Sequence, residues 1–128
     1  MNAQEIFDKV VAHLRQQGEA SAEIDEETAD VYCRYRAVSS TGKHLMCAAG
    51  CLIPDEIYDA KNMEGRRWGS ISTDYPELRK LEAHFVLIEA LQKAHDGAAN
   101  HPYKPFMKQL ELCLQYIAED FSLEYTAP

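Results

Sequence analysis

The sequence predicts an α+β fold in which one β-hairpin packs against three main α-helices, the last two forming an antiparallel αα-hairpin. Three observations predict it. Apolar residues recur at helical spacing near the start of the chain and twice in its second half. Residues 31–37 alternate instead, with the period of a strand. The length of 128 residues is enough for one hydrophobic core and too little for two, so residues 1–128 read as a single domain.

The first helix has a start, a face and an end. Asn2 can cap it, and Glu5, three residues on, completes a capping box. Ile6, Phe7, Val10, Val11 and Leu14 form one stripe, and Gly18 suits the left-handed position that ends a helix. Residues 19–30 follow with Glu19, Glu23, Asp25, Glu26, Glu27 and Asp30 and no base, which reads as a solvated loop. The alternative is an acidic arm that docks on a basic partner or imitates a phosphate backbone.

Val31, Cys33, Tyr35 and Ala37 then alternate with Tyr32, Arg34 and Arg36, so the strand buries one face. Ser39 to Gly42 is a turn signal, and His44 to Cys47 supply the returning strand. Pro54, Asp55 and Glu56 open a short helix through Tyr58. Residues 61–74, with Asn62, Gly65 and Gly69 and no periodicity, read as a long loop. Thr73 or Asp74 caps the next helix, Pro76 lies in its first turn, and Leu78, Leu81, Phe85, Ile88 and Leu91 form its face up to Gly97. After the connection Asn100-His101-Pro102, the final helix begins near Tyr103 and buries Phe106, Leu110, Cys113, Leu114, Ile117 and Phe121.

Charge narrows the function. With 21 acidic and 13 basic side chains the net is −8, which disfavours ordinary nucleic-acid binding. No apolar stretch approaches the roughly 20 residues that cross a bilayer, so no membrane partner is expected. Residues 1–10 lack the basic flank and apolar run of a signal peptide, and the expected compartment is the cytoplasm. The distribution is uneven: residues 1–30 hold 8 acids and 2 bases, residues 31–80 hold 6 and 8, and residues 81–128 hold 7 and 3. The middle of the chain is therefore its basic part.

That part carries the candidate partner-binding residues Arg34, Arg36, Arg66, Arg67 and Trp68. Arg34 and Arg36 share a strand face with Tyr32, and the other three lie in the Gly-bounded loop. If they converge, guanidinium forks and an indole would face a partner's carboxylates or an anionic ligand. The alternative is that Arg34 and Arg36 pair with the acidic segment 19–30.

A second constellation is Cys33, His44, Cys47 and Cys51. Cys47 and Cys51 are one helical turn apart, and with Cys33 and His44 they would complete a Cys₃His zinc site. Only one knuckle-like pair exists, however, and Leu45, Ala48, Ala49, Leu52 and Ile53 surround it, which favours buried core thiols. A structural disulfide does not suit a cytosolic setting. A nucleophilic cysteine would need His44, His84 or His95 as its base, and no local signature supplies one. His84 and His95 lie three turns apart on one helix face with Asp96 following, a packing seam or, on the sharper reading, a metal or acid–base pair. The sequence holds no P-loop, dinucleotide fingerprint, nucleophile elbow or HExxH motif, which leans against an enzyme.

The run Cys33-Arg34-Tyr35-Arg36, then Gly42, then Cys47 to Tyr58 resembles a pattern in small uncharacterised proteins of bacteria and their phages, C-x-Y-R … G … C-A-x-G-C-L-I-P-D-x-x-Y. The opening helix and Leu91 to Asp96 fit the same family. The resemblance implies a phage or mobile-element origin and brings no activity with it. The reading that results is a non-enzymatic protein–protein interaction domain, a modulator or inhibitor of a host factor or defence system, with a host protein as partner. The alternatives are a small zinc module on the cysteine cluster, and a binder or enzyme for a small anionic ligand at Arg34, Arg36 and Tyr35 with His84 or His95 nearby.

Overall fold

The computed structural model describes all residues, 1–128. In chain order the elements are α1 (Ala3–Gln17), β1 (Ala22–Ile24), β2 (Val31–Cys33), β3 (Arg36–Val38), β4 (His44–Met46), α2 (Ala60–Met63), α3 (Trp68–Asp74), α4 (Pro76–Arg79), α5 (Phe85–Ala99) and α6 (Phe106–Asp120). Short 3₁₀ turns stand at Gly50–Leu52 and Glu82–His84. The fold is α+β, and no helix is long and apolar enough to cross a membrane.

Helix α1 forms as its sequence dictates. Asn2 Oδ1 accepts the Glu5 N–H at 2.8 Å while Glu5 Oε1 accepts the Asn2 N–H at 2.9 Å, and Gly18 ends the helix at φ 73°. The five stripe residues are buried. They join the inward faces of α5 (Leu87, Ile88, Leu91, Ala94, Ala98) and α6 (Leu110, Leu114, Ile117, Ala118) in one core cluster of 25 residues. Helices α5 and α6 pack together across the short connection 100–105. The end of the chain is tied down too. Arg15 makes a fork on Glu111 (2.7 and 3.0 Å) and donates to Thr126 O, Tyr125 Oη donates to Glu111, and Gln4 brackets the backbone of Glu124.

The sheet departs from expectation. There are two antiparallel hairpins, β1–β2 and β3–β4, where the sequence suggested one. The alternation of residues 31–37 survives, with Tyr35 and Ala37 buried and Tyr32 exposed, but the ladder breaks at Arg34–Tyr35. Upstream of the break, Ala22, Glu23 and Ile24 pair with Cys33, Tyr32 and Val31. The acidic segment is therefore not a solvated loop throughout. Asp25 accepts the N–H groups of Glu27 and Thr28, which closes a tight turn and lowers its own pKa, and Ala29 sits at φ 62°.

Other boundaries shift for local reasons. Residues 61–74 are mostly helical, because Met63, Trp68 and Ile71 anchor α2 and α3 in the core over stretches too short to show a period. The helix expected over 74–97 is divided into α4, a 3₁₀ turn and α5, and α5 runs past Gly97 to Ala99. Helix α6 starts at Phe106, after Pro105, and Pro54–Tyr58 is a turn closed by Ile57 N–H on Pro54 O. A Cβ on Gly50 would lie 2.1 Å from Tyr35 O, so this position admits only glycine where the turn 47–52 presses on the strand break.

Candidate functional site

The break between β2 and β3 is held by Glu64, which follows α2. Its Oε1 accepts the Tyr35 N–H at 2.9 Å and its Oε2 accepts the Arg36 N–H at 3.1 Å, so one carboxylate takes two neighbouring backbone donors out of the ladder. The Tyr58 hydroxyl also donates to Oε2. Burial and this contact push the Tyr58 phenol up to about 12. Tyr35 Oη donates to Arg66 O at 2.6 Å, and burial raises its phenol as well. These bonds tie residues 33–35 to residues 64–68 and leave a cleft between them and α5.

The cleft has a volume of about 540 Å³. Arg34, Glu64, Arg66 and Arg67 line one side, and Glu89, Gln92, Lys93 and Asp96 of α5 line the other. Arg34 Nη1 lies 3.3 Å from Glu23 Oε2, and its Nε lies 4.0 Å from Glu64. Arg66 is held by Asn62 O and Asp74. Arg67 and Lys93 are exposed and have no ion-pair partner. These two cations thus stand on opposite sides of one cleft.

Four of the five expected binding residues meet here, and two expectations need correction. Arg36 faces elsewhere: it donates to Ile53 O at 2.7 Å, pairs with Asp55 at 2.9 Å and stacks 4.5 Å over the Tyr58 ring. The strand break is the cause, since Arg34 and Arg36 share a face only in an unbroken strand. Trp68 borders the cleft but is 3% exposed, a core residue at the start of α3 and not an exposed anchor. Of the acidic pairing expected for the two arginines, Arg34 finds Glu23 of that segment and Arg36 does not.

The four residues proposed for zinc do not come together. His44 is exposed on β4, whereas Cys47 is fully buried and its Sγ accepts the Gly50 N–H at 3.2 Å. Cys51 donates to Ala48 O, and Cys33 sits beside Asp96 at the cleft. Burial pushes the Cys47 thiol up and lifts Cys51 to about 12. Cys33 rises to about 12 through burial and the adjacent Asp96 carboxylate. A thiol so placed stays protonated and is a poor nucleophile.

What does converge is Cys33, His95 and Asp96, whose ligand atoms lie within 4.8 Å of one another. The hydrogen bonds of His95 decide what this cluster can do. Its Nε2 lies 3.0 Å from the Ser21 backbone N–H, which can only donate, so Nε2 is the acceptor. Nδ1 then carries the proton and donates to Asp96 Oδ1 at 2.9 Å. A metal on Nδ1 would drive that proton to Nε2, against the Ser21 donor, whereas ligating histidines give their second N–H to an acceptor. The same occupancy removes His95 as a base for Cys33. His95 instead fastens the β1–β2 hairpin to α5, with Ser21 Oγ donating to Arg34 O and Phe106 edge-on at 5.5 Å. His84 lies in the 3₁₀ turn before α5, outside this cluster. Gln92 supports Asp96 with one end and the Ala49 N–H with the other. Ser21, Glu64 and Gln92 are the site residues that sequence reasoning missed, because each acts on a backbone group remote in sequence.

No protein-family model, curated protein sequence or solved structure matches the chain. The site itself is a cleft lined by cations and carboxylates, with a half-buried thiol and a histidine whose two ring nitrogens are both engaged.

Proposed function

We propose that the chain is a non-enzymatic interaction domain that grips an acidic segment of a partner protein in this cleft. One observation carries the reading: in a chain of net charge −8, the cations Arg34, Arg66, Arg67 and Lys93 outnumber the acids Glu64, Glu89 and Asp96 in the lining of a single cleft, and neither Arg67 nor Lys93 forms an ion pair. Such a local reversal of sign steers and orients an acidic partner. The lining favours a protein segment over a small molecule, because only Cys33, Tyr35 and Trp68 are apolar among its 12 residues, and small-molecule sites are mostly apolar. On the phage-type resemblance, the partner is a host factor or defence protein that the domain modulates or inhibits.

Calorimetric titration with a hexaglutamate peptide at low salt tests the reading. The double substitution Arg67→Glu/Lys93→Glu should weaken binding at least tenfold more than Lys104→Glu/Lys108→Glu, which changes the net charge equally at residues that do not line the cleft. Both variants should melt within a few degrees of the parent. Equal weakening by the two pairs would show that only net charge is being read.

A further inference from the structure

Arg34 already holds a carboxylate, and the geometry of that contact is informative. Glu23 stands on β1 opposite Tyr32; it does not itself line the cleft but reaches Arg34, which does, and its side chain is 58% exposed. It meets Arg34 through one long contact, Nη1 to Oε2 at 3.3 Å. The other acid near Arg34 is Glu64, whose oxygens are taken by Tyr35 N–H, Arg36 N–H and the Tyr58 hydroxyl. A guanidinium has five N–H donors arranged as a fork that fits a carboxylate through two parallel bonds. Arg34 thus makes one side-chain hydrogen bond to a carboxylate, with Glu64 standing 4.0 Å from its Nε, and Glu23 can swing into water at little cost.

We propose that Arg34 is the seat for a partner carboxylate in the cleft, and that Glu23 is an internal stand-in that fills this seat in the free protein. The inference rests on the acidic-segment reading above. An incoming carboxylate that engages the fork with two bonds displaces Glu23, which makes one. The acidic hairpin then acts as a built-in competitor. It raises the threshold for binding, so a stray acidic side chain does not occupy the cleft while a multivalent acidic segment does.

The test repeats the hexaglutamate titration on the full chain with Glu23→Gln, Glu26→Gln, Arg34→Gln and Arg34→Gln/Glu23→Gln. Glu26 is an exposed acid on the same hairpin with no contact to Arg34, so its replacement controls for the change in net charge. Glu23→Gln should tighten binding about three- to fivefold beyond Glu26→Gln, the size of an exposed ion pair. In the Arg34→Gln background, removing Glu23 should bring no gain beyond the Glu26→Gln effect. If Glu23→Gln binds no tighter than Glu26→Gln while Arg67→Glu/Lys93→Glu still weakens binding tenfold more than Lys104→Glu/Lys108→Glu, the stand-in is refuted and the cleft survives. If the cleft variant also leaves binding intact, both readings fall.

Discussion

Replacing Glu64 with alanine tests the origin of the cleft at its most concentrated point. The Glu64 side chain is 8% exposed and accepts hydrogen bonds from Tyr35 N–H, Arg36 N–H and the Tyr58 hydroxyl. Alanine leaves two backbone donors in a partly buried strand break without an acceptor, at about 1–3 kcal/mol each. Removing the contact to the Tyr58 hydroxyl adds to this, and the expected loss is about 3–5 kcal/mol. For a domain of this size that lowers the melting temperature by roughly 10–20 °C. Glu64→Gln keeps one acceptor oxygen but turns an amide N–H toward a donor, so its loss should be intermediate. The control is Asp55→Ala, whose carboxylate pairs with Arg36 but is 88% exposed, and which should change stability by less than about 0.5 kcal/mol. Urea melts followed by circular dichroism measure all three. If Glu64→Ala costs no more than Asp55→Ala, the carboxylate does not hold the break and the account of the cleft is wrong.

Two further outcomes follow from contacts elsewhere. Gly50→Ala places a methyl 2.1 Å from the Tyr35 carbonyl oxygen, a backbone atom that cannot move alone, and should cost at least about 3 kcal/mol by thermal denaturation, whereas Gly69→Ala meets only the edge of the Phe85 ring at 3.0 Å and should cost clearly less. Glu111 is held below the ordinary carboxylate value by its hydrogen bonds from Arg15 and Tyr125, so its contribution is present above about pH 4.5 and is lost as pH falls through its lowered folded value; urea midpoints at pH 5 and pH 3 should fall more steeply for the parent than for Arg15→Gln.

The parts of the fold legible in the sequence are those whose causes are local. The Asn2–Glu5 capping box, the α1 stripe and Gly18 lie within a few residues of the groups they satisfy. The break at Arg34–Tyr35 was illegible because its cause, Glu64, stands 29 residues from Tyr35. The alternation of residues 31–37 persists through the break, so the pattern gave no warning of it. Trp68 misled for a related reason: between Gly65 and Gly69 a single indole shows no helical period, and only the core contacts of α3 reveal that it is buried. Three glutamines were silent as well. Gln4 on Glu124, Gln17 on Met46 and Gln92 on Ala49 each pair an amide side chain with a distant backbone, which composition and periodicity do not encode. The arginines of the candidate site were legible as a basic cluster. Which of them face together depended on the break.

The Glu64 carboxylate separates two properties that many small domains bind together. The hydrophobic core comes mainly from helices, while the cleft exists because one strand is interrupted. The core cluster nevertheless includes Tyr35 at the break, so substitutions in the interrupted segment touch stability as well as the cleft and its freedom to vary is limited. Arg67 and Lys93, exposed and outside the core, are freer to vary. On the proposed interaction reading, substitutions at these two positions would change what the cleft grips while the core stays as it is.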